Sequence, residues 1–211
     1  MKIICLIICF IVLISHGLSQ TPYDIIEEVN AERIENDIAK LVSFGTRHTM
    51  SETESETRGI GAARRWIKSE FEKISKNCGG CYEVSMQRTL EKGNAKTRIT
   101  KDTEIVNVLA IKRGTTYPNR YIIMAGDIDS RVSDPLNYTD DSPGANDNAS
   151  GMAGVIEAAR VLSKYDFESS ILLVGLSGEE QGLYGGKHLA AKAVEEGWEI
   201  VGVLNNDMIG N

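Results

Sequence analysis

The chain is 211 residues long, 42% hydrophobic and 25% charged, with a formal charge of −7. That balance describes a folding domain able to bury a sizeable core and excludes a disordered or fibrous chain. The negative charge argues against nucleic acid as a partner, because phosphate binding needs clustered Lys and Arg.

The first segment reads as a targeting signal. Lys2 precedes an apolar run over 3–14, and Gly17 and Ser19 place small residues at the −3 and −1 positions of a cut before Gln20. This is the pattern of a secretory signal peptide over residues 1–19, and the run is too short for a stable membrane anchor. A secreted or periplasmic product follows, with one domain over 20–211. Cys5 and Cys9 leave with the signal. Cys78 and Cys81, in Asn77-Cys78-Gly79-Gly80-Cys81, are then expected to close a turn as a small disulfide. No second Cys pair or nearby His completes a redox or metal motif.

Ile34, Ile38 and Leu41 recur at helical spacing, with Asn36, Thr46, Thr49 and Ser51 marking a polar stretch around that helix. After Gly59, the residues Ile60, Ala63, Ile67, Phe71 and Ile74 form one apolar stripe over a second helix. Arg64, Arg65 and Lys68 are expected on its solvated face. Residues 82–89 alternate like a half-buried strand. The second half has short apolar runs at 106–111, 121–125, 171–176 and 200–204, with helices expected over 150–165 and 186–196. This alternation predicts an α/β fold: a mixed, largely parallel sheet flanked by helices on both faces. Trp66 and Trp198 read as core or helix-anchoring residues. Of the two glycosylation sequons, Asn137-Tyr138-Thr139 suits a surface loop. Asn148-Ala149-Ser150 falls where a sugar fits poorly.

In such sheets the chemistry gathers at the carboxyl ends of the strands. Each buried run here ends in acids. The run 121–125 leads to Asp127 and Asp129, 171–176 to Glu179 and Glu180, and 200–204 to Asp207. Asp147 stands just before a helix, where Asp, Asn148 and Ser150 are also ordinary N-caps. Brought to one edge, these carboxylates repel unless a cation joins them, and oxygen donors of this kind suit divalent ions. The adjacent Glu179 and Glu180 divide the work: one ligates the ion, the other takes a proton from water.

Three motifs carry a resemblance. Gly144-Ala145-Asn146-Asp147-Asn148-Ala149-Ser150-Gly151, Ser177-Gly178-Glu179-Glu180-Gln181-Gly182-Leu183-Tyr184-Gly185 and Asn205-Asn206-Asp207-Met208 resemble the core motifs of the co-catalytic di-zinc aminopeptidases, the bacterial leucyl aminopeptidase and aminopeptidase Y group. Phe44-Gly45-Thr46-Arg47-His48 and the amphipathic helix after Gly59 are similar to that family as well. The resemblance implies a zinc-exopeptidase fold and two divalent ions, held by Asp127, Asp147, Glu180 and Asp207, with Asp147 bridging. It makes Glu179 the general base and Asp129 the residue that orients position 127. The implied substrates are peptides with a free N-terminus.

Two departures qualify it. The family's His at position 127 is Asp here, which leaves one ion with oxygen ligands only and opens that site to Mn, Mg, Co or Ca beside Zn. The family's last ligand, a His, is expected beyond Asn211, so the chain is expected to hold an incomplete catalytic domain. His48 and His188 are not expected to replace it, His188 reading as a helix-surface residue. Two other functions compete: a glutaminyl cyclase-like enzyme of the same fold and a metal-free binding relative. A carboxypeptidase of the same superfamily is a further variant.

Overall fold

The computed structural model describes residues 22–210. The expected signal peptide lies outside the described residues, together with Cys5 and Cys9. The chain opens with α1 (Pro22–Glu27), a short helix that buries none of its residues and so leaves no apolar stripe to read. Asn30 then accepts from the Arg33 N–H at 3.0 Å and caps α2 (Ala31–Val42). The predicted stripe of Ile60, Ala63, Ile67, Phe71 and Ile74 is the buried face of α3 (Gly59–Asn77). The helix stops at Cys78, whose bond to Cys81 closes the turn as expected.

One expectation fails on α3. Arg64 is not solvated: it is 5% exposed, and its guanidinium donates to the Glu104 carbonyl at 3.2 Å. Arg65 reaches the Thr53 and Ser55 carbonyls of the preceding loop. That loop folds over this flank of the helix, and a guanidinium is the side chain able to bond several carbonyls at once. Lys68 stays at the surface and pairs with Glu72 one turn on.

Five strands form one sheet: β1 (Glu83–Glu91), β2 (Thr103–Lys112), β3 (Tyr117–Asp127), β4 (Ser169–Leu176) and β5 (Glu199–Asn206), in the order β1-β2-β4-β3-β5. The β4-β3-β5 part is parallel and the β1-β2-β4 part antiparallel, so the sheet is mixed, as expected. Between the strands run α4 (Gly151–Leu162) and α5 (Tyr184–Glu195). The α5 helix starts two residues before its expected position, and α4 ends three residues sooner.

Alternation along β2 sorts its side chains onto two cores. Val108 and Ala110 join Leu173, Ile67, Phe71, Met152, Val155 and Ile156 under α2, α3 and α4. Leu109 and Ile111 join Tyr121, Ile123, Leu172 and Val174 under Leu189 of α5. Each such large side chain contributes roughly 1.5–3 kcal/mol on burial. Trp198 stacks on Tyr121 with ring centroids 4.4 Å apart, the anchoring role expected of it. Gly126 of β3 lets α4 seat its first residue close to the sheet, since a Cβ there would meet the Gly151 carbonyl carbon at 2.8 Å.

Among the described residues β5 has one neighbour, β3, and shows Val201, Val203 and Leu204 to solvent. No helix among them is long and apolar enough to cross a membrane.

Candidate metal centre

The parallel register puts the predicted acids on one edge. Asp127 lies opposite Leu176 of β4, and Gly126 opposite Asn206 of β5. Glu179 and Glu180 follow β4 directly, and Asp207 follows β5. Asp147 sits in the irregular turn Ala145–Ser150 before α4, where its backbone and that of Asn148 leave helical geometry. Asp127 and Asp129 are buried, Glu179 is half-buried, and Asp147 and Asp207 face solvent.

Asp129 is 1% exposed and accepts from the N–H groups of Gly178 at 2.8 Å and of Glu179 and Glu180 at 3.2 Å each. The Thr49 hydroxyl adds a fourth bond at 2.8 Å. The carboxylate expected to orient Asp127 therefore bonds instead to the turn that carries Glu179 and Glu180. Burial raises its pKa, and these donors oppose the rise by favouring the ionised form.

Position 127 is oriented by Asn148. Its side-chain amide donates to Asp127 Oδ2 at 3.1 Å and to the Asn206 carbonyl at 2.8 Å. Its oxygen accepts from the N–H groups of Gly151 and Met208. One amide thus ties the ends of β3 and β5 to the start of α4. A neutral side chain with two donors and an acceptor can do this, and a second carboxylate could not. Sequence reasoning weighed Asn148 only as a cap or sequon. It is 1% exposed and fully bonded, so no glycan fits there.

Electrostatics mark the same place. Burial first, then the charges of Asp129, Glu179 and Asp207, hold Asp127 up at about 8. Burial, then Asp129, Glu180, Asp207 and Asp147, raise Glu179 to about 7. Glu180 is raised by burial and relieved by an ion pair with Arg131. Arg98, from the loop between β1 and β2, donates to the Glu180 carbonyl at 2.7 Å.

A divalent cation fits this donor chemistry. The side chains are all oxygen donors, and burial and then mutual repulsion raise the pKa values of Asp127 and Glu179, which a bound cation offsets. Among the described residues no three His, Cys, Asp or Glu side chains meet at one point; Glu180 is turned onto Arg131. Neither His48 nor His188 joins the cluster. His48 is buried against the Pro135 carbonyl at 3.0 Å. His188 stays on α5, half-buried, where its Nε2 pairs with Glu91 at 2.7 Å. An apolar cavity of about 470 Å³ opens beside the acids, with Leu176, Leu183, Leu189, Ile200 and Val203 on its walls and Asp127 and Glu179 on its lining.

The model of peptidase family M28 matches residues 107–211, the stretch that holds all these acids. The chain belongs to this family. A curated relative, a "Probable zinc metalloprotease" of Pyrenophora teres f. teres (strain 0-1), is 48% identical over 186 residues, covering 88% of this chain and 38% of that protein. The chain spans well under half of that relative's length. Two solved structures share the M28 chain's fold. One is a leucine aminopeptidase precursor from Bacteroides thetaiotaomicron, with TM-score 0.67 and 17% identity, over 86% of this chain and 63% of that one. The other is a glutaminyl cyclase from an Acidobacteriales bacterium, with TM-score 0.65 and 24% identity, over 87% of this chain and 60% of that one.

Proposed function

We propose that this chain forms the main part of the active site of a secreted zinc aminopeptidase that hydrolyses the first peptide bond of substrates with a free N-terminus. One observation carries the reading: Asp127 and Glu179 line an apolar cavity at the strand ends where the other acids gather. The cavity suits an apolar side chain, and the acids beside it suit a cationic α-amino group and a metal.

In this reading Asp127, Asp147, Glu180 and Asp207 would hold up to two ions. When bound, a divalent ion supplies Lewis acidity to the substrate carbonyl and acidifies water. Glu179 takes the proton from the attacking water and passes it to the leaving amine. Asp129 fixes the turn that carries Glu179, and Asn148 fixes Asp127. Glu180, paired here with Arg131, would be the side chain that turns to hold a metal.

The full-length protein tests this through metal content and release of leucine from a leucyl anilide, with Glu179→Gln as control. Metal retained in the variant, with turnover lost by roughly a thousandfold or more, is the expected outcome. Turnover of a glutaminyl substrate to its cyclic product, with none of the leucyl anilide, would move the chain to the cyclase reading that the second solved structure suggests. Absence of metal and of both activities would reduce it to a binding relative.

A further inference from the structure

The segment 46–51, far from the acids in sequence, reaches them through a closed series of hydrogen bonds. His48, Thr49, Gln181 and Asp129 are each under 5% exposed. The Met50 N–H donates to His48 Nδ1 at 3.1 Å, so the ring proton is on Nε2. Burial lowers the pKa of His48 and keeps the ring neutral. Nε2 lies 3.0 Å from the Pro135 carbonyl and 3.1 Å from the Gln181 amide. The Nε2 proton goes to the Pro135 carbonyl, and the Gln181 amide nitrogen packs against the same ring nitrogen. The Gln181 side-chain oxygen bonds the Thr49 hydroxyl. That hydroxyl also lies 2.8 Å from Asp129 Oδ2, to which it donates. His48, Gln181, Thr49 and Asp129 thus form one contiguous buried series. Asp129 in turn accepts from the N–H groups of Gly178, Glu179 and Glu180.

We propose that His48, Gln181 and Thr49 are positioning residues whose buried hydrogen-bond series locks Asp129 onto the backbone of residues 178–180 and so aims the Glu179–Glu180 pair. The roles of those two glutamates rest on the aminopeptidase reading. The locking of the turn does not.

The geometry singles out the hydroxyl. Thr49→Val keeps the shape and removes the donor to Asp129, while Thr49→Ser keeps the donor. Gln181→Met breaks the series one step earlier. Amide hydrogen exchange of the full-length protein reads the lock without any substrate. In Thr49→Val and Gln181→Met the amides of residues 178–180 are expected to exchange about tenfold faster or more, the factor of one charge-assisted hydrogen bond, with β4 amides unchanged and Thr49→Ser near wild type. On the leucyl anilide, kcat falls by about ten- to a hundredfold in the first two variants while KM stays within about twofold, because aim and not binding is lost. Unchanged exchange at 178–180 in Thr49→Val, or a rise spread equally through β4, overturns the proposal. So does exchange at 178–180 in Thr49→Ser that stays as fast as in Thr49→Val. A protein inactive on every amino-acyl substrate but with the local exchange response sinks the aminopeptidase reading alone.

Discussion

Replacing Arg47 by Met tests how the loop bearing Asp147 is held. Arg47 is 1% exposed. Its guanidinium donates to four carbonyls: Ile128 at 2.9 Å, Leu41 at 3.0 Å, Pro143 at 2.7 Å and Gly144 at 2.9 Å. It thus joins the end of α2, the exit of β3 and the approach to the Ala145–Ser150 turn. Four hydrogen bonds from a charged donor are worth roughly 6–12 kcal/mol together. Against this stands desolvation. Burial pulls the pKa of Arg47 well below the usual guanidinium range, to about 10, a penalty of roughly 3 kcal/mol. The net contribution is therefore about 3–9 kcal/mol, and Met also leaves four carbonyls short of a partner. Urea denaturation of the full-length Arg47→Met protein is expected to lose at least about 3 kcal/mol, much of a typical domain's stability. Arg47→Lys keeps the charge without the fork and falls between. A loss under about 1 kcal/mol in Arg47→Met would show that the four bonds merely break even with burial and would refute the reasoning.

Three further changes separate causes. Burial holds Asp37 up at about 6 against an ordinary 3.8, and its Oδ2 is buried without a partner. An acid raised on folding keeps a proton that the unfolded chain has released, so stability falls as pH climbs from about 4 to about 6. Asp37→Asn should therefore stabilise by about 1 kcal/mol at neutral pH, discounted for partial exposure, and by nothing near pH 3.5; thermal melts of both proteins at the two pH values read the difference. Gly61→Ala in α3 should destabilise in urea, reversing the usual helix gain of about 1 kcal/mol, because a Cβ would lie 2.0 Å from the Thr53 carbonyl oxygen. Replacing Cys78 and Cys81 by Ser should cost about 2 kcal/mol, the modest value for so small a loop, measured by the same denaturation.

The acids at the strand ends were legible because a buried strand of Val, Leu and Ile stands out from its flanks, and a parallel sheet forces such ends together. The amphipathic stripe of α3 was legible for the same reason of period. Contacts spanning most of the chain were not. Thr49 bonds Gln181 across 132 positions and Asp129 across 80, and no local pattern encodes such pairs. Arg64 was misplaced because charge predicts solvent by default, whereas the Glu104 carbonyl of β2 offers its guanidinium an acceptor at the buried face. Asn148 was hidden by its own commonness before helices. Only the neighbouring chain ends show that its amide has four partners to serve.

Strand β5 has a practical consequence. Val201, Val203 and Leu204 are 58–61% exposed on a strand with one pairing edge unused among the described residues. Runs of this kind, β-prone and with no charge between Ile200 and Asn206, template pairing between molecules. Preparations of residues 22–210 alone should precipitate in proportion to concentration. A Val201→Lys change, on a residue that is 60% exposed and does not line the cavity beside the acids, should keep them in solution.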